Sequence, residues 1–166
     1  MTNIREIMLD FYGTLVHEDD IIIPLICEEV HRGVPVTATT DASGPTATGI
    51  GRFWWDLFRA RFQVSFDDTF VDQRTLGLDT LNDSAAAFGS TCDSPAIIDK
   101  QFAHWLAPPI FPDAVPFLAQ VRSLRMPICV VSNIDRGDIE AAIAFHGLQF
   151  DGLVTSEDAR AYKPRP

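Results

Sequence analysis

Along the chain the apolar positions change their period several times, and each change marks an element. Glu6 to Phe11 is a short apolar run that reaches a polar residue at its end, Asp10, as a buried parallel strand would. Past a turn at Gly13, Asp19 or Asp20 is placed to cap a helix with Pro24 in its first turns. Ile22, Ile23, Ile26 and Val30 form its apolar side, and Gly33 stops it. Residues 33–51, GVPVTATTDASGPTATGIG, are rich in turn formers and read as a long loop. RFWWDLFRARF follows as an amphipathic helix, with Phe53, Leu57, Phe58 and Phe62 at helical spacing. Another helix is expected between Val71 and Phe88. Ser94-Pro95 opens the next, with Ile98, Phe102, Trp105 and Leu106 on one face.

The three prolines of APPIFPD end this helical stretch. Asp113 is placed to cap a helix reaching to Leu124, and Pro127 leads into ICVVSN, a β-branched run with two small polar residues at its end. Asp135 opens a further helix with Ile139, Ala142, Ile143 and Phe145 inward and Gly147 closing it. GLVTSED is a third short strand candidate. Strands alternating with helices around a helical stretch imply an α/β fold, a parallel sheet carrying a separate lobe. Residues 1–18 and 108–166 form the expected core, and 19–107 the lobe.

Composition narrows the picture. The 166 residues suit one domain, or one small domain with an inserted lobe, and the 46% apolar content is enough for a packed core. A formal net charge of −10 argues against nucleic acid or an anionic membrane as partner. A small anionic substrate remains open, provided local positive groups receive it. Cys27, Cys92 and Cys129 are odd in number and widely spaced, which points to a reducing, cytoplasmic setting. His17, His31, His104 and His146 lack metal-ligand spacing, and no apolar run approaches membrane-spanning length.

Ligands of an open parallel sheet bind at the carboxyl ends of its strands. Three polar positions fall there: Asp10 after the first strand, Ser132-Asn133 after the second, and Lys163 beyond the third. Taken singly, they read as a turn or helix cap, a turn and a surface lysine. Taken together, they put a carboxylate, a hydroxyl and an ammonium in one cleft. A carboxylate there can act as nucleophile, with the ammonium stabilising it and balancing an anionic substrate. Ser132 and the main-chain N–H groups after Asp10 are candidates for holding substrate oxygens.

These stretches resemble the haloacid dehalogenase-like hydrolase superfamily. IMLDFYGTLV is similar to its first motif, ICVVSN to its second and SEDARAYKPRP to its third, while FPDAVPFLAQVRSLRMP resembles the helix before the second. The resemblance implies a Rossmann-like core with an α-helical cap, and a covalent intermediate formed on Asp10. Thr14 and Ser132 would position substrate oxygens and Lys163 would pair with Asp10. Phe11, Tyr12, Gly13 and Asn133 would lie against the substrate. Trp54, Trp55 and Phe58 fall in the cap, where packing within the lobe is the favoured role over substrate contact.

Tyr12 stands where phosphatase members carry a second aspartate as general acid/base. A phenol of reference pKa about 10 is a poor proton shuttle near neutral pH. The D-x-Y-G-T-L form resembles the L-2-haloacid dehalogenase branch, whose halide leaving group needs no proton and whose chemistry needs no cofactor. The phosphatase alternative implies Mg2+, with Asp10 among its ligands. A dehalogenase also implies an arginine for the substrate carboxylate, and Arg32, Arg52, Arg59 and Arg61 are candidates from the cap. Relative to the family, the chain is expected to be truncated at its C-terminus, before a strand bearing an acidic fourth motif. The strand of Asp10 would then be an open edge, available for a homodimer. A third reading follows, that of an inactive fold serving as a binding module.

Overall fold

The computed structural model describes residues 5–35 and 45–165. The chain forms two compact units, Met1–Glu18 with Trp105–Pro166, and Asp19–His104. Part of the expected loop at 33–51 (residues 36–44) lies outside the described residues.

The first unit holds β1 (Ile7–Leu9), α5 (Ala114–Ser123), β2 (Ile128–Ser132), α6 (Arg136–Phe145), β3 (Gly152–Thr155) and α7 (Ser156–Ala159). Among the described residues the sheet has three parallel strands in the order β1-β2-β3, with Leu9 opposite Val130 and Ser132 opposite Thr155. This is an α/β fold with a parallel sheet. Ile128, Val130 and Ser132 point to the buried side of β2. Met8, Cys129, Val131 and Val154 share the other face, where Met8 is 64% exposed. The core gathers Phe11, Val16, Leu118, Ile134, Ile139 and Tyr162. β1 is shorter than the expected run because Asp10 and Phe11 already turn away from the ladder.

α6 corrects one expectation: Ile139 and Ala142 are buried, whereas Phe145 is exposed. At 3.6 residues per turn, Phe145 falls about a third of a turn off the Ile139 face. Asp113 and Asp135 occupy the N-cap positions of α5 and α6, yet neither side chain makes a capping hydrogen bond.

The second unit is helical: α1 (Ile22–Arg32), α2 (Ala47–Val64), a 3₁₀ turn at Asp67–Thr69, α3 (Gln73–Ala87) and most of α4 (Ser94–Leu106). Ile26, Val30, Ile50, Trp54, Leu76, Leu81, Ile98 and Phe102 are buried. Leu106, at the end of α4, is exposed rather than packed with Trp105. Asp19 and Asp20 do not cap α1; Ile21 is its N-cap residue, and the Asp19 carboxylate instead accepts from Gln101 Nε2 at 2.5 Å.

α2 begins earlier than the pattern predicts, because Thr46 Oγ1 accepts from the Gly49 N–H at 3.0 Å and caps the helix. Its buried side chains are Ile50 and Trp54, not Phe53. Trp54 Nε1 donates to Thr80 Oγ1 at 3.0 Å, and Thr80 in turn donates to the Leu76 carbonyl at 2.7 Å. These bonds let α3 bury Thr80 and Ser84 without leaving their hydroxyls unpaired. Burial, with Glu28 nearby, raises the Cys27 thiol to about 11.

Candidate active site

β1 ends at Leu9, and the chain then turns through Asp10 to Val16. The Phe11 carbonyl accepts from the N–H groups of Thr14, Leu15 and Val16, and Gly13 donates its own N–H to the Val16 carbonyl at 2.8 Å. Gly13 has φ +74°, the left-handed region that glycine enters freely, and a Cβ there would meet Glu18 Oε2 at 3.3 Å. The tight turn leaves the Asp10 carboxylate facing outward at the end of the strand.

Three donors converge on that carboxylate. The Phe11 N–H donates to Oδ1 at 2.8 Å and Ser132 Oγ to the same oxygen at 2.7 Å. Lys163 Nζ donates to Oδ2 at 2.6 Å. Side-chain exposure of 41% for Asp10 and 36% for Lys163 leaves the pair open to an incoming molecule. Ser132 lies at the end of β2 and is buried, so its hydroxyl is fixed in place. Asp10, Ser132 and Lys163 are thus brought together as one cluster.

The other expected residues serve the cluster in different ways. The Phe11 ring is fully buried, edge-on to Tyr12 and Phe150, so only its N–H reaches Asp10. The N–H groups of Gly13 and Thr14 close the turn rather than face a ligand. Thr14 itself is exposed. The Tyr12 hydroxyl donates to the Trp105 carbonyl at 2.7 Å. Asn133 Oδ1 accepts from the Lys163 N–H at 2.7 Å.

The pattern of apolar and polar positions did not single out the Val131 carbonyl, which accepts from Lys163 Nζ at 2.7 Å. Main-chain acceptors leave no mark in a sequence. It also missed Arg136, whose Nε donates to Asp158 Oδ1 at 2.8 Å and whose Nη2 reaches both Asp158 Oδ2 and the Leu153 carbonyl. The Asp158 carboxylate also accepts from the N–H and hydroxyl of Thr155, each at 2.9 Å. Hydrogen bonding from Arg136 holds Asp158 down at about 2, and the Arg136 guanidinium is raised by the same contact.

Both oxygens of the Asp10 carboxylate accept from protein groups, Oδ1 from Ser132 and the Phe11 N–H and Oδ2 from Lys163, and Asp10 is the one residue of this cluster that could be a ligand of a magnesium ion. Among the described residues, no group of three His, Cys, Asp or Glu side chains could hold a metal ion.

In the helical unit, Arg59 pairs with Asp56 at 3.6 Å and Arg61 with Asp83. Arg52 lines a groove of about 400 Å³ between α1 and α2, with Ile23, Cys27, Glu28 and Trp55. Trp54 is a core residue, whereas Trp55 is 59% exposed and stacks on Phe58.

The parallel α/β sheet thus presents a carboxylate, a hydroxyl and an ammonium together beyond its strand ends. A family model described as haloacid dehalogenase-like hydrolase matches residues 4–166, and the chain belongs to that family. Among solved structures, it is similar to an L-2-haloacid dehalogenase at 20% identity and a TM-score of 0.72, covering 98% of this chain and 68% of that one. Another is the L-2-haloacid dehalogenase from Xanthobacter autotrophicus with chloropropionic acid covalently bound (19% identity, TM-score 0.66, 99% and 61% coverage). An HAD-hydrolase from Bacillus subtilis bound to magnesium is similar at 11% identity and a TM-score of 0.63, covering 95% of this chain and 67% of that one. The chain spans about two thirds of the length of these structures. Among curated proteins no sequence matches. No helix among the described residues is long and apolar enough to cross a membrane.

Proposed function

We propose that this hydrolase uses Asp10 as a nucleophile and cuts the carbon–halogen bond of a small 2-haloacid. The observation that carries the reading is the Asp10 carboxylate, held by Ser132 and Lys163 at the strand ends. A carboxylate oxygen forms a bond to the halogen-bearing carbon, and halide leaves with its electron pair. Water then adds to the acyl carbon of the Asp10 ester, releases the 2-hydroxyacid and a proton, and restores the carboxylate. The Lys163 ammonium pairs with the Asp10 carboxylate and attracts the anionic substrate. Tyr12 supports halide as the leaving group, because its hydroxyl is engaged by the Trp105 carbonyl and halide needs no proton donor.

A second reading is phosphomonoester hydrolysis with magnesium, which the family match leaves open. Halide release from L-2-chloropropionate and phosphate release from an aryl phosphate, each with and without magnesium, separate the two. Halide release that magnesium does not change is expected. Magnesium-dependent phosphate release without halide release would overturn the dehalogenase reading. Turnover of neither substrate class would favour a binding module. Asp10→Asn is expected to lower either activity by about a thousandfold or more.

A further inference from the structure

Three successive residues at the end of β2 each serve the Asp10–Lys163 pair. The Val131 carbonyl holds the Lys163 ammonium, and the Ser132 hydroxyl holds the Asp10 carboxylate. Asn133 touches the Lys163 main chain at both of its polar groups: Oδ1 accepts from the N–H at 2.7 Å, and Nδ2 donates to the carbonyl at 3.4 Å. The orientation of the amide follows from the partner, since a main-chain N–H requires an acceptor opposite it. Lys163 needs such an anchor. It lies beyond α7 in a stretch without regular structure, and its flexible four-carbon stem has rotamer entropy to lose in reaching Asp10. Regular pairing with a strand would fix its main chain; a side-chain amide is the substitute here.

We infer that Asn133 is the positioning residue of Lys163, acting through the lysine main chain rather than on the substrate. This rests on the proposed role of Asp10 and Lys163, and it extends that role to a residue otherwise expected to bind the substrate directly. When the amide is lost, the Lys163 main chain is released and the ammonium leaves Asp10 for solvent. The ground-state binding groups stay in place.

The chain contains two lysines, Lys100 and Lys163, so amine labelling reads the proposal without any need for turnover. The intact chain, Asn133→Ala, Asn133→Asp and Asn133→Leu are treated with acetic anhydride near neutral pH. Labelling of each lysine is followed by peptide mass spectrometry, with Lys100 as the internal reference. Asn133→Ala is expected to label Lys163 about tenfold faster relative to Lys100. It should also lower kcat for halide release by about ten- to a hundredfold with KM within about twofold, the penalty of a misplaced group. Asn133→Asp keeps an acceptor for the Lys163 N–H and should recover most of both. Asn133→Leu, close in shape but without either bond, stands in should the alanine variant not fold. Unchanged Lys163 labelling in Ala and Leu variants overturns the proposal, and a raised KM in those variants would assign Asn133 to the substrate. Faster Lys163 labelling in a chain that turns over no substrate would leave the clamp standing and remove the hydrolytic reading instead.

Discussion

Ser132 isolates what a single hydrogen bond does for Asp10. Its buried hydroxyl is one of three donors to that carboxylate, and a hydrogen bond to a charged group contributes about 1.5–3 kcal/mol. Ser132→Ala should therefore lower kcat/KM for halide release by about ten- to a hundredfold. An unchanged kcat/KM would show that the Phe11 N–H and Lys163 suffice. Tyr12→Phe addresses a neighbouring bond, the one to the Trp105 carbonyl. Its loss should cost about 1 kcal/mol in urea unfolding, and no change would mean water replaces the partner at no cost. At this scale Asp10, Ser132 and Lys163 are legible in the sequence because each is a polar residue at or beyond the end of an apolar run. The Val131 carbonyl, and the direction in which Asn133 acts, are not legible. Both depend on which main-chain atoms face each other after folding.

Between elements, the Arg136–Asp158 contact joins the first residue of α6 to the short α7 that precedes Lys163. Arg136 also places its own N–H on Glu157 Oε2 at 2.7 Å, so one residue grips two successive acids. Asp158 has its pKa lowered in the folded chain, so its contribution is present above the ordinary carboxylate value and is lost as pH falls through about 2. About a third of its side chain is exposed, and solvent screening limits the contribution to about 1 kcal/mol or less. Thermal unfolding followed from pH 5 to pH 2 should show a shallower acid decline in Asp158→Asn than in the parent chain. Identical declines would mean that Asp158 is equally ionised in the unfolded state. Helix α2 shows why element boundaries were only partly legible. Gly49 and Gly51 read as loop formers, yet Thr46 caps the helix ahead of them. A Cβ on Gly51 would come within 3.0 Å of Cys27 Sγ, so that glycine answers a close approach of α1 and α2 rather than a turn. Packing between helices set the residue, and a single-sequence pattern cannot show packing.

Across the whole molecule, the helical stretch is closed at its base in both units. On the sheet side, Val16 bridges Ile110 in antiparallel fashion, the His17 N–H donates to the Pro109 carbonyl at 2.8 Å, and Phe111 N–H to the Leu15 carbonyl at 3.0 Å. On the helical side, Gln101 Nε2 reaches Asp19 Oδ2, and Lys100 pairs with Glu29, so the first and last segments of Asp19–His104 meet. A unit whose ends lie together and whose core is its own can be removed from its host chain without being torn open. That core runs from Ile26 and Val30 through Ile50 and Trp54 to Leu81 and Ile98, all buried within residues 19–104. The fragment 19–104 is therefore expected to fold alone, with helical far-ultraviolet circular dichroism and a single cooperative thermal transition. Leu81→Ala, which empties a fully buried site, should lower its stability by about 2–5 kcal/mol and abolish the transition if the margin is smaller than that. A fragment that is unstructured under the same conditions would mean that the helices depend on the sheet-bearing unit for their fold. The helical unit would then be an extension of that unit's core, and its side chains could not vary independently of the site at Asp10.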